Sequence, residues 1–336
     1  MTVSMPLSAS SIATNDNATY ECLQPDEALI FLHIMKTAGT SLFKVVQQQY
    51  PKDLTFHYVP IKEGKRLDDF VQWPQEQRDR LRFFHGHDCY GVHEHLNQSS
   101  RYVTMLRKPV NRVVSLYYFI HHNPKRDIPL DQRCPTLKHY LDARLLAVDN
   151  GQTRAIAGEA SAEFAFGECT SELLDIAKQN LSQFLMVGTT ERFDESLLVL
   201  KHVLGLDNIL YSRTNENIRK PKMEDMDPED IVRIQSHNQL DEKLYIYANQ
   251  LLDERISQIG DTFSIEYQFF KHVNRQFSDV ELALKDTKKK LKEKHQKLQN
   301  MRQQRDQLKA EMRQSQSVEA KTGRDIKALW QRLMGR

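Results

Sequence analysis

The sequence lacks the features that mark disulfide-bonded, metal-binding and membrane-spanning chains. Its 336 residues include four cysteines, which show no C-x-x-C spacing and no pattern that indicates pairing. Free thiols in a reducing compartment are therefore predicted, and no side chains have the spacing of metal ligands. No run of about 18 apolar residues occurs, and the polar N-terminus has neither the basic nor the apolar region of a signal peptide. These absences predict a cytoplasmic protein without a metal, whose residues 1–25 are disordered.

A strong net charge of either sign is also missing from most of the chain. The overall charge of +2 comes from 47 Lys and Arg against 45 Asp and Glu. From Ser278 to the end there are sixteen Lys and Arg against eight Asp and Glu, a net charge of +8, which leaves −6 for the rest. A body of negative charge does not fit a general nucleic-acid binder, so no nucleic-acid partner is predicted.

The most informative stretch is a strand, a turn and a helix near the start. Residues 28–34 are apolar except for His33 and predict a buried strand, and a helical pattern begins at Thr40. Unpaired N–H groups at a helix start, the helix dipole and the charge of Lys36 together favour a phosphate. The order of residues is not that of a Walker A loop, because no glycine precedes the lysine. On this pattern alone, a helix capped by Thr37 or Thr40 beside a solvated lysine is an equally good interpretation.

Further apolar stretches alternate with helical patterns along the chain. The sequence predicts short strands at residues 82–87, 101–106 and 184–188. Strands separated by helices predict a three-layer α/β fold with a central parallel sheet. In such sheets ligands bind beyond the carboxyl ends of the strands, where Lys36, His87 and Arg107 all fall. We therefore expect these three side chains to meet in one crevice.

The composition changes past about residue 277 to Lys, Gln, Arg and Glu. Apolar residues recur seven or fourteen positions apart, at Leu284, Leu291, Leu298 and Met312. This repeat indicates a weak coiled coil, since Arg305 interrupts it. The basic, amphipathic end suits a membrane surface or a partner groove, and packing against the same chain is an equal alternative. The sequence predicts a domain over residues 26–276 and a helical tail over 277–336 for self-association or peripheral membrane contact.

Three motifs in order resemble one enzyme family. They are HIMKTAGTSLFK after the first strand, FFHGHDCYG at the second, and RYVTMLRKPVNRVVSLYYF across the third strand and its helix. Together with NLSQFLMVGTTERFDESL and YSRTNENIRKP they are similar to carbohydrate sulfotransferases of the heparan sulfate 2-O and uronyl 2-O type, over residues 28–270. The resemblance implies a P-loop-kinase-like fold and the donor 3′-phosphoadenosine 5′-phosphosulfate (PAPS), which leaves as adenosine 3′,5′-bisphosphate.

The resemblance also implies a role for each matched residue. Lys36 would bind the oxygen that bridges sulfur and phosphorus, and the 5′-phosphate would be cradled by Thr37, Ala38, Gly39, Thr40 and Ser41. The 3′-phosphate would be held by Arg107 and Ser115, and a loop over the nucleotide would contain Arg213, Arg219 and Lys220. His85 and His87 match the catalytic histidines of the family. We predict His87 as the general base and His85 as a second base or an orienting residue.

The acceptor is the least defined part of this interpretation. It is predicted to be a carbohydrate, a polysaccharide or glycolipid, with uronyl 2-O among the positions sulfated and basic residues such as Arg112 as candidate contacts. The family usually has a Golgi-anchoring membrane segment, and its absence from the sequence favours an acceptor made in a bacterial-type cytoplasm. Two other functions stay open: a P-loop-type nucleotide kinase, and a non-catalytic scaffold that acts through its tail.

Overall fold

A computed structural model of the chain describes residues 20–58, 70–87, 89–121, 134–212 and 223–335, without the side chains of Tyr58, Met223 and 314–322. The strands are β1 (Ala28–Leu32), β2 (Thr55–Tyr58), β3 (Phe83–Gly86), β4 (Ser100–Leu106) and β5 (Met186–Thr189). Within these residues they form one sheet in the order β2-β3-β1-β4-β5, in which every neighbouring pair is parallel. The predicted α/β fold with a central parallel sheet is confirmed.

Helices connect and cover the strands. Those of nine residues or fewer are α1 (Gly39–Gln47), α2 (Gln75–Asp79), α4 (Leu137–Asp142) and α5 (Gly151–Ala157). The longer ones are α3 (Pro109–His121), α6 (Ser171–Ser182), α7 (Phe193–Leu204), α8 (Pro228–His237), α9 (Gln239–Ile259) and α10 (Thr262–Met334). Pro109 is the first residue of α3, a position that suits proline because the first N–H groups of a helix have no partner within it.

The two faces of the sheet explain why β1 is apolar throughout. Ala28, Ile30 and Leu32 pack into a core with α6 and α9, whereas Leu29 and Phe31 pack into a second core with α1 and α7. All five side chains are fully buried. A central parallel strand covered on both faces has no solvent side, so its sequence is a continuous apolar run.

The elements predicted from the sequence differ from the structure in several places. The sequence pattern of residues 228–270 is helical, and the structure has three helices there, with breaks at Asn238 and at Gly260, where φ is 90°. The sequence pattern also predicts a helix near residues 136–148, which in the structure ends at Asp142. β2, α2 and α5 were not predicted from the sequence, because each has at most seven residues and shows no clear apolar periodicity.

The chain divides into two compact units, residues 1–275 and 276–336. The first holds the sheet and its covering helices. The second consists of the remainder of α10, in which the side chains of 279–313 and 323–335 are largely exposed. What each unit does stays a prediction.

Candidate active site

The turn between β1 and α1 has a backbone conformation that few side chains adopt. Lys36 has a φ of 69° and Ala38 a φ of 65°, both in the left-handed region, where a residue other than glycine is strained. Thr37 closes the turn, since its hydroxyl donates to the Ile34 carbonyl at 2.8 Å. Ala38 offers no side-chain cap to α1, so the first N–H groups of the helix remain for another acceptor. This end of α1 therefore has the geometry and the dipole of an anion site.

A cavity of about 500 Å³ lies at the carboxyl edge of the sheet. Its walls come from the segments that follow β1, β3, β4 and β5 and from one face of α3. The lining residues are His33, Met35, Lys36, Ala38, Gly39, Thr40, Ser41, His87, Arg107, Ser115, Phe119, Thr190, Glu191, Phe193 and Tyr211. The volume is typical of a small-molecule site, and the position agrees with the rule for parallel sheets.

Most of the site residues predicted from the sequence lie in this wall. Lys36, Ala38, Gly39, Thr40, Ser41, His87, Arg107 and Ser115 line the cavity. Two others do not: Thr37 is buried with its hydroxyl used inside the turn, and His85 is buried beneath the wall. A second base must reach the acceptor, so the placement of His85 does not fit that prediction. Arg213, Arg219 and Lys220 lie outside the described residues.

The His87 ring is oriented by a backbone carbonyl. Its Nδ1 donates a short hydrogen bond of 2.5 Å to the carbonyl oxygen of His33. A carbonyl can only accept, so Nδ1 carries the proton, and in the neutral ring the lone pair is on Nε2. The tautomer is therefore the one that a base with Nε2 toward the cavity requires.

Two more histidines support His87 from beneath. The His33 ring lies 4.4 Å from the His87 ring, centroid to centroid, and its Nδ1 is 3.0 Å from Nε2 of His85. The His85 ring stacks on Phe43 at 3.9 Å. A Cβ on Gly39 would lie 2.0 Å from Cδ2 of His33, so only glycine lets the helix start approach this ring. The pair thus links the turn to the histidine at the cavity wall.

Burial keeps this supporting pair uncharged. Burial, together with the smaller effect of the neighbouring histidines, lowers the pKa of His33 to about 3 and that of His85 to about 2. A neutral pair can share one proton between Nδ1 of His33 and Nε2 of His85, whereas a charged pair would repel.

The folded protein should therefore lose stability in mild acid. Both pKa values are below the unfolded value of about 6.5, so the unfolded chain binds more protons as the pH falls toward 3. Each histidine contributes a loss of up to about 1.4 kcal/mol per pH unit below 6.5. Urea unfolding between pH 7.5 and 5 should show this slope, and His85→Phe should reduce it. An unchanged slope in the variant would contradict the assignment of the slope to this pair.

Two cations enter the cavity from different strands. Lys36 follows β1, and its Nζ lies 4.1 Å from the centroid of the Phe119 ring on α3. Arg107 follows β4, and its Nη1 donates to the Lys36 carbonyl at 3.1 Å. Burial lowers the pKa of Arg107, while nearby Glu191 acts in the opposite direction. Arginine stays charged in proteins, so the cavity holds two positive groups tied through one peptide unit.

A buried side chain on α5 fixes the backbone of Arg107. The Gln152 amide accepts from the Arg107 N–H and donates to the Arg107 carbonyl, both at 2.9 Å. Asp241 in turn accepts from the Gln152 N–H at 3.1 Å and lies 3.8 Å from Arg112. Arg112 is fully buried by this arrangement, so the prediction that it contacts an acceptor is wrong.

Several lining residues were not assigned from the sequence. They are His33, Met35, Phe119, Thr190, Glu191, Phe193 and Tyr211. A signal existed for two of them: His33 is the one polar residue in the first apolar stretch, and Glu191 follows closely on β5. The Glu191 carboxylate accepts from the Lys108 N–H at 3.3 Å and the Tyr245 hydroxyl at 3.1 Å. The sequence does not show that Phe119, Phe193 and Tyr211 line a cavity, because many other aromatic residues of the chain are buried in its core.

Comparison with known proteins finds distant relatives. Heparan-sulfate 6-O-sulfotransferase 3 from Homo sapiens is 25% identical over 275 residues, 68% of this chain and 58% of the relative. Galactose-3-O-sulfotransferase 3 from Mus musculus is 24% identical over 268 residues, 69% of this chain and 58% of the relative. Heparan-sulfate 6-O-sulfotransferase 1-B from Danio rerio is 25% identical over 280 residues, which are 69% of this chain and 68% of the relative. The chain thus spans little more than half the length of the first two.

These relatives confirm the resemblance to carbohydrate sulfotransferases and refine it. Their names specify heparan sulfate 6-O and galactose 3-O positions, so the 2-O type is not shown. The prediction of a cytoplasmic protein is wrong. It distinguished this chain from Golgi membrane enzymes, and the relatives are enzymes of that type. That prediction depended only on missing signals. Among the residues that the structure describes, no helix has the length and apolar content to span a bilayer.

A family model gives the broadest match. The model of the galactose-3-O-sulfotransferase family matches residues 1–322, which include the whole cavity wall. The match extends over far more than half of the 336 residues. The chain belongs to the galactose-3-O-sulfotransferase family.

Proposed function

We propose that the protein transfers a sulfuryl group from PAPS to a hydroxyl of a carbohydrate. One observation carries the proposal: Lys36, His87, Arg107 and Ser115, from three separate segments, line a single cavity. A nucleotide with phosphates at both ends of its ribose needs two anion sites that face a common space. We assign the reaction to residues 26–276, since every lining residue lies between positions 33 and 211.

The 5′ end of the donor fits the turn and the start of α1. Here the N–H groups around Gly39 and Thr40, the Ser41 hydroxyl and the charge of Lys36 can surround one phosphate. As the bond from sulfur to the bridging oxygen breaks, negative charge grows on that phosphate. Lys36 stabilises this charge, by analogy with the cations of phosphoryl transfer.

The 3′ end fits Arg107 and Ser115. A guanidinium binds a phosphate through two parallel N–H groups, and the serine hydroxyl, from α3, adds a donor on another side. The bond from Arg107 to the Lys36 carbonyl sets the separation of the two anion sites. The donor is thereby held by groups whose spacing is fixed before it binds.

His87 is the proposed general base. The acceptor oxygen attacks sulfur, a new S–O bond forms as the old one breaks, and the acceptor proton moves to Nε2 of His87. The hydrogen bond from Nδ1 to the His33 carbonyl supports this role, because it fixes the required tautomer. His85 has a positioning role, through its hydrogen bond to His33.

The proposal is tested by a transfer assay with the whole chain. PAPS labelled with ³⁵S is incubated with galactose-terminated glycans, desulfated heparan sulfate, uronate-rich polysaccharides and neutral glucans, with and without EDTA. We expect label in one class of acceptor, equally with EDTA. Label in none, together with absent binding of adenosine 3′,5′-bisphosphate, would contradict the proposal. Phosphate transfer from ATP that needs Mg²⁺ would favour a kinase, and nucleotide binding without transfer would favour a scaffold.

Gln152 should affect donor binding from outside the cavity. Gln152→Leu removes both hydrogen bonds to the Arg107 backbone, at a cost of about 1–3 kcal/mol in unfolding free energy for the buried groups left unpaired. We expect the affinity for adenosine 3′,5′-bisphosphate to fall several-fold in calorimetry. Gln183→Leu, an exposed glutamine outside the cavity, is the control. An unchanged affinity in Gln152→Leu would mean that Arg107 is positioned without it.

A further inference from the structure

The second unit of the chain exposes an apolar stripe along one long helix. Ten side chains make up this stripe, which we call the apolar seam: Val280, Leu284, Leu291, Leu298, Met301, Leu308, Met312, Ile326, Leu329 and Leu333. Each is between 46% and 68% exposed. Soluble proteins rarely leave an apolar surface of this extent uncovered, so the seam requires a partner.

The seam has a single heptad phase from end to end. Counting in sevens from Leu284 reaches Leu291, Leu298, Met312, Ile326 and Leu333, and counting in sevens from Val280 reaches Met301, Leu308 and Leu329. Ile326, Leu329 and Leu333 of the basic end therefore continue the repeat that begins near position 280, whereas Trp330 and Met334 each lie one position off it. The first three are not a separate amphipathic motif.

The seven-residue repeat of the apolar seam fits a helical partner better than a flat membrane surface. A straight helix has 3.6 residues per turn, so a strict seven-residue repeat drifts by about 20° per heptad. The seven heptads from Leu284 to Leu333 thus turn the seam by about 140° around a straight helix. A bilayer surface meets only one side of such a helix, whereas a second helix follows the seam by supercoiling.

We propose that the partner is a second copy of this helix, packed antiparallel along the apolar seam. A two-fold axis between positions 306 and 307 pairs residues whose numbers sum to 613. It sets Val280 against Leu333, Leu284 against Leu329, and Met301 against Met312. Six of the ten seam residues thus face another seam residue, at both ends and in the middle, whereas Leu291, Leu298, Leu308 and Ile326 face polar or charged positions. The two-fold axis repeats each of these pairs on the other side of it. At roughly 60–120 Å² for each aliphatic side chain, the twenty seam residues of two copies bury on the order of 1,000 Å² or more.

Charge decides the direction of pairing. Residues 288–297 contain six lysines, and Lys294 and Arg305 both occupy heptad core positions. In a parallel pair each would face its own copy across the core, and the lysine-rich segment would lie beside itself. The antiparallel pair moves that segment to the opposite end of the second helix and sets Arg305 against Leu308.

Sedimentation velocity of the full chain measures the association. We expect a species of twice the 39.3 kDa chain mass at micromolar concentration, and at least a tenfold weaker association in Leu284→Lys/Leu329→Lys. The matched control is Leu282→Lys, because Leu282 is 55% exposed against 49% for Leu284 but lies off the seam. A monomeric wild type, or equal loss in the control, overturns the proposal. So does a monomer that sediments with vesicles of phosphatidylserine and phosphatidylcholine.

Cysteine cross-linking measures the direction. In Leu284→Cys/Leu329→Cys, mild oxidation should yield peptides that join positions 284 and 329. Within one helix these positions are about 68 Å apart, far beyond the reach of a disulfide, so the link can only join two chains. Links from 284 to 284 would overturn the antiparallel arrangement. Both measurements are independent of sulfuryl transfer, so a negative result here would not contradict the proposed function.

Discussion

His87→Asn lowers the rate of sulfuryl transfer by about 10²–10⁴-fold while the affinity for adenosine 3′,5′-bisphosphate stays within about twofold. The size follows from the contribution of a positioned base to such reactions. Asparagine is the informative replacement, because its amide N–H can still donate to the His33 carbonyl where Nδ1 of His87 does. The variant therefore keeps the local hydrogen bond and loses only the basic nitrogen.

Single-turnover kinetics with PAPS and the best acceptor measure this effect. His95→Asn is the control, a histidine outside the cavity wall. His87→Asn should show the lowered rate, and His95→Asn should keep the wild-type rate. A wild-type rate in His87→Asn would show that another group accepts the acceptor proton.

Arg107→Met lowers the affinity for adenosine 3′,5′-bisphosphate by about 10- to 100-fold but leaves the affinity for adenosine 5′-phosphate nearly unchanged. Hydrogen bonds to a charged group are worth about 1.5–3 kcal/mol, and only the first ligand has the 3′-phosphate that Arg107 is proposed to bind. Lys36→Met should weaken both ligands, because both have the 5′-phosphate. Two variants and two nucleotides thus assign each cation to one end of the ligand.

Isothermal titration supplies the four affinities. Lys108→Met is the control, since its exposed side chain is adjacent to Arg107 but absent from the cavity wall. If Arg107→Met weakened both nucleotides equally, its bond to the Lys36 carbonyl, and not the 3′-phosphate, would be its contribution. If neither variant changed either affinity, the nucleotide would bind elsewhere.

Local sequence patterns predict the parts of this molecule that depend on neighbours in the chain. The apolar run of β1, the turn at Lys36 and the start of α3 at Pro109 each follow from a few adjacent residues. The convergence of Lys36, His87 and Arg107 followed from one topological rule, because parallel strands end at the same edge.

The features that the sequence did not predict depend on contacts between segments that are distant in the chain. Gln152 bonds to Arg107 across 45 positions, and nothing in a polar residue on a short helix indicates that partner. His85 follows the apolar pattern of its strand, yet the pattern does not say which face of the sheet it meets. The helix that begins at Thr262 continues to Met334, so it runs through the change of composition at about residue 277.

The turn after β1 contributes two carbonyl oxygens, three residues apart, to two different side chains. The carbonyl of His33 holds the imidazole of His87, and that of Lys36 holds the guanidinium of Arg107. Main-chain atoms are the same whatever residue is present, so substitutions elsewhere in the wall leave these two hydrogen bonds unchanged. The face of the cavity toward the sugar can therefore diversify during evolution while the working distance between imidazole and guanidinium is inherited unchanged.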